Sequence, residues 1–191
     1  MFYKLLTSKE QPVFKWKGGI TKQFFVYPEG SEGVGSGSLL EVTSSTMDFP
    51  ETEYTLFDGY KRILMVIDGS TELSHVDGTS KKLEKYDYHS FHGSTQTYSR
   101  GLATDYEIIF ADSLDGSMQV LSGENIELPI NINDKKLYLG FYCDGEKASV
   151  TIDENCFDLT DGDHLSIILE TGCSIKVKTV NSVVINSKIA L

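Results

Sequence analysis

Between Tyr54 and Gly69 the chain reads Y-T-L-F-D-G-Y-K-R-I-L-M-V-I-D-G, and Ile63 to Ile67 are apolar without interruption. A run this short, bounded by Asp58-Gly59 before it and Asp68-Gly69 after it, is too brief for a helix and predicts a strand buried on both faces. Side chains alternate along a strand, so Arg62 shares the face of Leu64 and Val66. A cation set beside an apolar interior requires an anion. That anion is either a carboxylate of the chain, with Asp105 the candidate, or a carboxylate carried by a ligand.

The rest of the chain supports an all-β fold. Short runs rich in Thr, Val, Tyr and Phe alternate with Asp-Gly, Gly-Ser and Asn-Asp turns, and helical periodicity is absent. Strands are expected over Lys22–Tyr27, Leu39–Met47, both halves of Tyr54–Gly69, Thr71–Val76, Lys81–Leu83, Tyr88–Gly93 and Thr104–Phe110. A second series covers Leu137–Tyr142, Ala148–Ile152, Leu165–Leu169, Ser174–Val180 and Val183–Ile185. Gly30 to Ser38 (G-S-E-G-V-G-S-G-S) has no helix behind it to build a phosphate site. It reads as a hairpin loop, with a lid over a barrel mouth as the functional alternative.

One repeat divides the chain. Asp68-Gly69, Leu83, Asp87 and Ser90-Phe91 recur at a constant offset as Asp144-Gly145, Leu159, Asp163 and Ser166-Ile167. A β unit built twice follows, with L-x-x-x-D marking a turn into an inward-facing strand. The expected domains are 1–112 and 113–191, as two stacked or tandem barrels. Arg62 and His92 have no counterpart in the second half, where the offset lands on Tyr138 and Ile168, so any site belongs to the first.

Charge and composition exclude several functions. With 17 Lys plus Arg against 28 Asp plus Glu, the net charge of −11 argues against nucleic acid. No stretch has the length or apolarity of a membrane span, and the N-terminus lacks a signal-peptide pattern, so a soluble cytoplasmic protein is expected. Cys143, Cys156 and Cys173 lack chelating spacing and read as reduced, mostly buried thiols.

Catalytic patterns are equally sparse. No H-x-H pair exists, His89 and His92 are spaced to face opposite ways, and His75 and His164 fall in different halves, so neither metal nor cofactor is expected. Asp158 to Asp163 does not place acids at the alternate positions of a calcium loop, and no Ser stands in G-x-S-x-G. A binding pocket reads better. Trp16, Phe57, Tyr60 and Phe91 offer aromatic walls, Gly18 and Gly19 offer close backbone donors, Thr21 a hydroxyl, and Arg62 a fork suited to a carboxylate.

These motifs, in this order, resemble the HutD/Ves family of two-barrel, bicupin-like proteins. W-K-G-G-x-T at Trp16–Thr21 is similar to that family's W-K-N-G-G-G-T, and Phe57–Arg62 with Asp68-Gly69 to its F-P-G-x-D-R followed by L-x-G. Phe91-His92-Gly93 matches F-x-G, and Gly101 with Asp105-Tyr106-Glu107 is similar to G…D-[FY]-N. Glu107 replaces the family Asn. Leu40–Thr43 occupies the family's W-R-L-S stretch, with Glu41 in place of Arg.

The resemblance implies two cupin-type barrels, no established enzymatic activity, and a link to histidine utilisation or stress response. A ligand-binding or regulatory role toward an anionic intermediate such as formylglutamate is the corresponding expectation. The candidate ligand site is Trp16, Gly18, Gly19, Thr21, Tyr60, Arg62, Phe91, His92 and Asp105. Two alternatives stand beside it: a metal-free isomerase or lyase acting on a small acid through Asp105 or His92, and a protein-interaction module. A homodimer through free strand edges is the oligomeric expectation.

Overall fold

The computed structural model describes residues 1–130, 132 and 136–191, and the Asn133-Asp134 turn lies outside them. Its strands are β1 (Phe2–Leu6), β2 (Val13–Trp16), β3 (Gly19–Tyr27), β4 (Leu40–Met47), β5 (Glu51–Glu53), β6 (Tyr60–Gly69), β7 (Thr71–His75), β8 (Ser80–Leu83) and β9 (Tyr88–His92). There follow β10 (Thr97–Arg100), β11 (Ala103–Ala111), β12 (Asp115–Leu121), β13 (Ile126–Ile130), β14 (Leu137–Ile152), β15 (Asn155–Thr160), β16 (His164–Leu169) and β17 (Cys173–Ala190). Among the described residues there is no helix, and hence none long and apolar enough to cross a membrane.

The chain divides into two compact units: Pro12–Ser113, and Leu114–Leu191 together with Met1–Gln11. Pro12–Ser113 holds a six-stranded sheet in the order β2-β3-β4-β11-β6-β9 and a four-stranded sheet in the order β5-β10-β7-β8. Leu64 and Val66 of β6, Met47 and Ala103 from the same sheet, and Leu73 and Leu83 from the other form one apolar cluster. Burying each large side chain there stabilises the fold by roughly 1.5–3 kcal/mol, and it is this burial that holds the two inner faces together.

Antiparallel register fixes what shares that inner face. Arg62 lies opposite Ile109 on one side and Phe91 on the other; Leu64 lies opposite Glu107 and His89; Val66 lies opposite Asp105. The rows continue into β4 as Glu41, Thr43 and Ser45, and into β3 as Gln23 and Thr21. One side of the interior is therefore apolar, and the other is a stripe of carboxylates and hydroxyls.

The other unit is built on a seven-stranded sheet with the path β1-β16-β14-β17-β12; β13 pairs with β17 and β15 with β14. Its first strand comes from the far end of the sequence: β1 pairs along β16 from Phe2 opposite Ile168 to Leu6 opposite His164. Ser8 N donates to Asp163 Oδ1 at 2.8 Å and Gln11 Nε2 to the Gly162 carbonyl at 2.6 Å. The division at 1–112 and 113–191 is thus corrected in its first eleven residues, which go with the second unit. Strand pairing among the described residues closes none of the three sheets on itself, so closed barrels are replaced by sheets with free edges.

The repeat has a structural counterpart. Asp87 Oδ2 accepts from Glu84 N at 3.0 Å and Asp163 Oδ2 from Thr160 N at 2.8 Å, while each Asp amide donates back to the same partner's carbonyl at 2.9 Å. Tyr86 (φ 70°) and Gly162 (φ 80°) take the left-handed conformation just before the Asp in each turn. The short carboxylate holds the turn shut, which is why L-x-x-x-D could be read as a unit. Of the three thiols, Cys143 is buried, Cys173 half-buried and Cys156 exposed, so the expected burial fails for Cys156.

Candidate functional site

A cavity of about 200 Å³ opens on the inner face of the six-stranded sheet. Thr21, Glu41, Thr43, Ser45 and Glu107 form its polar wall, and Phe14, Trp16, Tyr54, Phe57 and Ile109 its apolar one, with Arg62 between them. The wall is polar because alternate residues of β3, β4 and β11 carry short hydroxyls and acids in adjacent rows. The segment 54–57, expected as strand, is irregular. It crosses the cavity instead, anchored by Tyr54 N to the Thr97 carbonyl at 3.0 Å and Phe57 N to the Gly93 carbonyl at 2.8 Å.

Arg62 is 4% exposed and pairs with Glu107, not Asp105. Nε donates to Oε1 at 2.6 Å and Nη2 to Oε2 at 2.9 Å, a bidentate geometry, while Nη1 donates to the Thr55 carbonyl at 3.1 Å. The rings of Tyr54, Phe57 and Phe91 lie 4.8, 5.3 and 5.3 Å from the guanidinium carbon. Burial opposes the Arg62 charge, but the Glu107 charge and its hydrogen bonds more than offset this, so the pKa rises.

Asp105 is 1% exposed. Oδ1 accepts from Ser45 N at 3.0 Å, beside the register shift between Thr104 and Asp105, and Oδ2 is buried with no hydrogen-bond partner. Burial first, and then the Glu107 charge, push the carboxyl well above its usual range. A raised folded pKa means that the stability contributed by neutral Asp105 is complete below about pH 3.9 and is lost as pH rises through the folded value. Asp105→Asn is expected to raise Tm by a few degrees at pH 8, in line with about 1–3 kcal/mol for a badly satisfied buried group. The gain should shrink toward pH 4, and a gain of equal size at both pH values would contradict a buried neutral acid.

The other residues singled out by sequence divide between wall and scaffold. Trp16 and Thr21 line the cavity; the Thr21 and Ser45 hydroxyls are hydrogen-bonded at 2.9 Å, and Trp16 Nε1 is buried without a partner. Gly18 and Gly19 supply room, not donors. A side chain at Gly18 would collide with the Trp16 ring, and one at Gly19 with the Thr46 carbonyl. Tyr60 Oη donates to the Ser38 carbonyl at 2.7 Å, fixing the end of the glycine-rich loop. Phe91 packs on Arg62 and Tyr54. His92 lies opposite Lys61, on the face away from Arg62, with its side chain 61% exposed and Nδ1 3.5 Å from Asp112 Oδ1. It lies on the other face from Asp105, so the two residues offered as alternatives for an isomerase or lyase do not share one site.

Two features escaped the sequence. Glu41 accepts from Gln23 Nε2 at 2.7 Å and from Val34 N at 2.8 Å, tying the glycine-rich loop to the cavity wall. His75 and His89 meet across the two sheets, Nε2 to Nε2 at 3.0 Å, with His75 Nδ1 2.8 Å from Thr97 Oγ1. Because that hydroxyl donates to the Thr95 carbonyl at 2.9 Å, it accepts from His75 Nδ1, and His75 Nε2 accepts from His89. Burial, then His75 and Lys81, lower the pKa of His89. Among the described residues no group of three or more His, Cys, Asp or Glu side chains could hold a metal ion.

Solved structures place this frame in the cupin-like class of all-β proteins. A cupin 2 conserved barrel domain protein from Leptotrichia buccalis superposes with a TM-score of 0.57 at 10% identity, covering 98% of this chain and 96% of that one. The HutD family model matches residues 8–185, and the chain belongs to the HutD family. HutD from Pseudomonas fluorescens SBW25 matches with a TM-score of 0.78 at 18% identity over 97% of this chain and 98% of that one. The conserved protein of unknown function PA5104 from Pseudomonas aeruginosa PAO1 reaches 0.85 at 18% identity, with complete coverage of both. No curated protein sequence is a significant match.

Proposed function

We propose that this HutD-family protein is a non-enzymatic binder of a small polar metabolite, held in the cavity of the unit Pro12–Ser113. The carrying observation is the cavity itself, whose wall is drawn from adjacent strands in one continuous polar stripe facing aromatic side chains. Few convergent polar groups set against apolar walls are what small-molecule sites share. Binding is favoured over turnover because the two wall carboxylates are engaged, Glu107 by Arg62 and Glu41 by Gln23 and the Val34 amide. The internal repeat supports reading the two units as a bicupin pair with the site in only one of them. One of the two grounds for expecting an anion, an Arg62 fork open to a ligand carboxylate, is removed by its pairing with Glu107, which leaves the family resemblance as the other.

A thermal-shift panel of formylglutamate, formiminoglutamate, urocanate, histidine and amines tests the reading. A native-state ligand at a hundredfold excess over its Kd adds about 2.7 kcal/mol of stability. Thr43→Leu, which fills the cavity from its wall, should abolish the shift without lowering the melting point of the free protein. A panel without any shift, or a shift unchanged in Thr43→Leu, would overturn it.

A further inference from the structure

We propose that the cavity selects a small organic cation, a primary amine or an amidine, with Glu41 as its counter-ion. The proposal rests on the binding role just given and deepens it by assigning the charge of the ligand.

Three charged side chains line the cavity: Arg62, Glu107 and Glu41. Arg62 is not available to an incoming anion. Its charge is matched by Glu107 at 2.6 and 2.9 Å, one Nη is bound to the Thr55 carbonyl, and three aromatic rings surround the guanidinium within 5.3 Å. Glu41 is in the opposite situation. Its two hydrogen-bond donors, the Gln23 amide and the Val34 backbone N–H, are both neutral, so its charge is solvated but not compensated. Each carboxylate oxygen retains a further acceptor direction. A carboxylate ligand would therefore meet an unmatched like charge, and an ammonium or amidinium an unmatched opposite one.

The remainder of the wall points the same way. Phe14, Trp16 and Phe57 present aromatic surface, which attracts cations through the ring quadrupole. The chain's net charge of −11 draws cations toward the surface before they dock.

The test is calorimetric titration of the whole protein with charge-matched probes: putrescine, agmatine and histamine against succinate, formylglutamate and urocanate, at low and high salt. At least one amine or amidine should bind at least tenfold more tightly than every acid, with the preference narrowing in high salt. Glu41→Gln should cost that probe at least tenfold. Gln23→Ala loosens the anchoring of Glu41 but leaves its charge, and should keep the preference. Tighter binding of an acid overturns the charge assignment while leaving the binding role intact. Equal losses in Glu41→Gln and Gln23→Ala would make Glu41 an anchor for the glycine-rich loop and overturn its counter-ion role. No binding by either class, or binding that Thr43→Leu leaves unchanged, removes the binding role and this inference with it.

Discussion

Glu107→Ala is expected to cost about 3–5 kcal/mol, because it strands the buried Arg62 guanidinium without its counter-ion. Tm should fall on the order of 10 °C. The size of the effect follows from burial: the two side chains are 5% and 4% exposed, so water cannot replace the lost carboxylate. The aromatic rings around Arg62 soften the loss but cannot accept its hydrogen bonds. Arg62→Ala should be destabilising for the mirror reason, leaving the buried Glu107 carboxylate without its cation. The decisive variant is the double replacement Arg62→Met with Glu107→Leu, which removes both charges and refills the space. Apolar replacement of a buried pair is often close to neutral, so it should recover most of the stability lost by either single change. A Glu107→Ala protein melting within a degree or two of the unmodified one would show that the pair is not the buried contact described here.

The partner of Arg62 shows where sequence reasoning stops. Alternation correctly placed Arg62 on the face of Leu64 and Val66, and equally placed Asp105 and Glu107 together on one face of β11. Choosing between two acids on one face requires the register, which no local pattern carries. Ile109 stands opposite Arg62, so Glu107 is the diagonal neighbour and Asp105 lies one row further on. A long side chain reaches the diagonal position readily and the next row poorly. The same limit hid the His75–His89 contact, which joins strands of different sheets, and the pairing of β1 with β16, which joins opposite ends of the chain.

Turn signals misled in one further way. Breaks were expected between Tyr142 and Ala148 and between Val180 and Val183, yet β14 and β17 run through both. Gly145 at φ 118° pairs with Ser182, and the residue before Ser182 in that strand, Asn181, has φ 47°. Asp-Gly thus marked backbone that needs positive φ, which is a property of a kinked strand as much as of a turn. The apolar run of β6 was legible for the opposite reason: its burial on both faces leaves a composition signal that does not depend on pairing.

Acid should destabilise the unit containing Leu114–Leu191 through His164. This side chain is 1% exposed on β16, between Leu6 of β1 and Tyr142 of β14, with Nδ1 3.2 Å from Ser166 Oγ. Burial alone holds its pKa down to about 3. In the unfolded chain the imidazole titrates near 6.5. Between those values the unfolded state binds the proton and the folded state does not, so stability is complete above about pH 6.5 and falls as pH drops toward 3. Each pH unit in that window removes about 1.4 kcal/mol, and the whole window on the order of 4–5 kcal/mol. His164→Asn keeps a hydrogen-bonding group beside Ser166 and cannot take up the proton. Its denaturant midpoint should therefore fall less steeply than that of the unmodified protein between pH 6 and 4, even if its stability at pH 8 is lower. Carboxylates contribute to both profiles alike, so the difference in slope isolates His164. Parallel profiles would mean that His164 accepts its proton in the folded state, which a side chain 1% exposed should not permit.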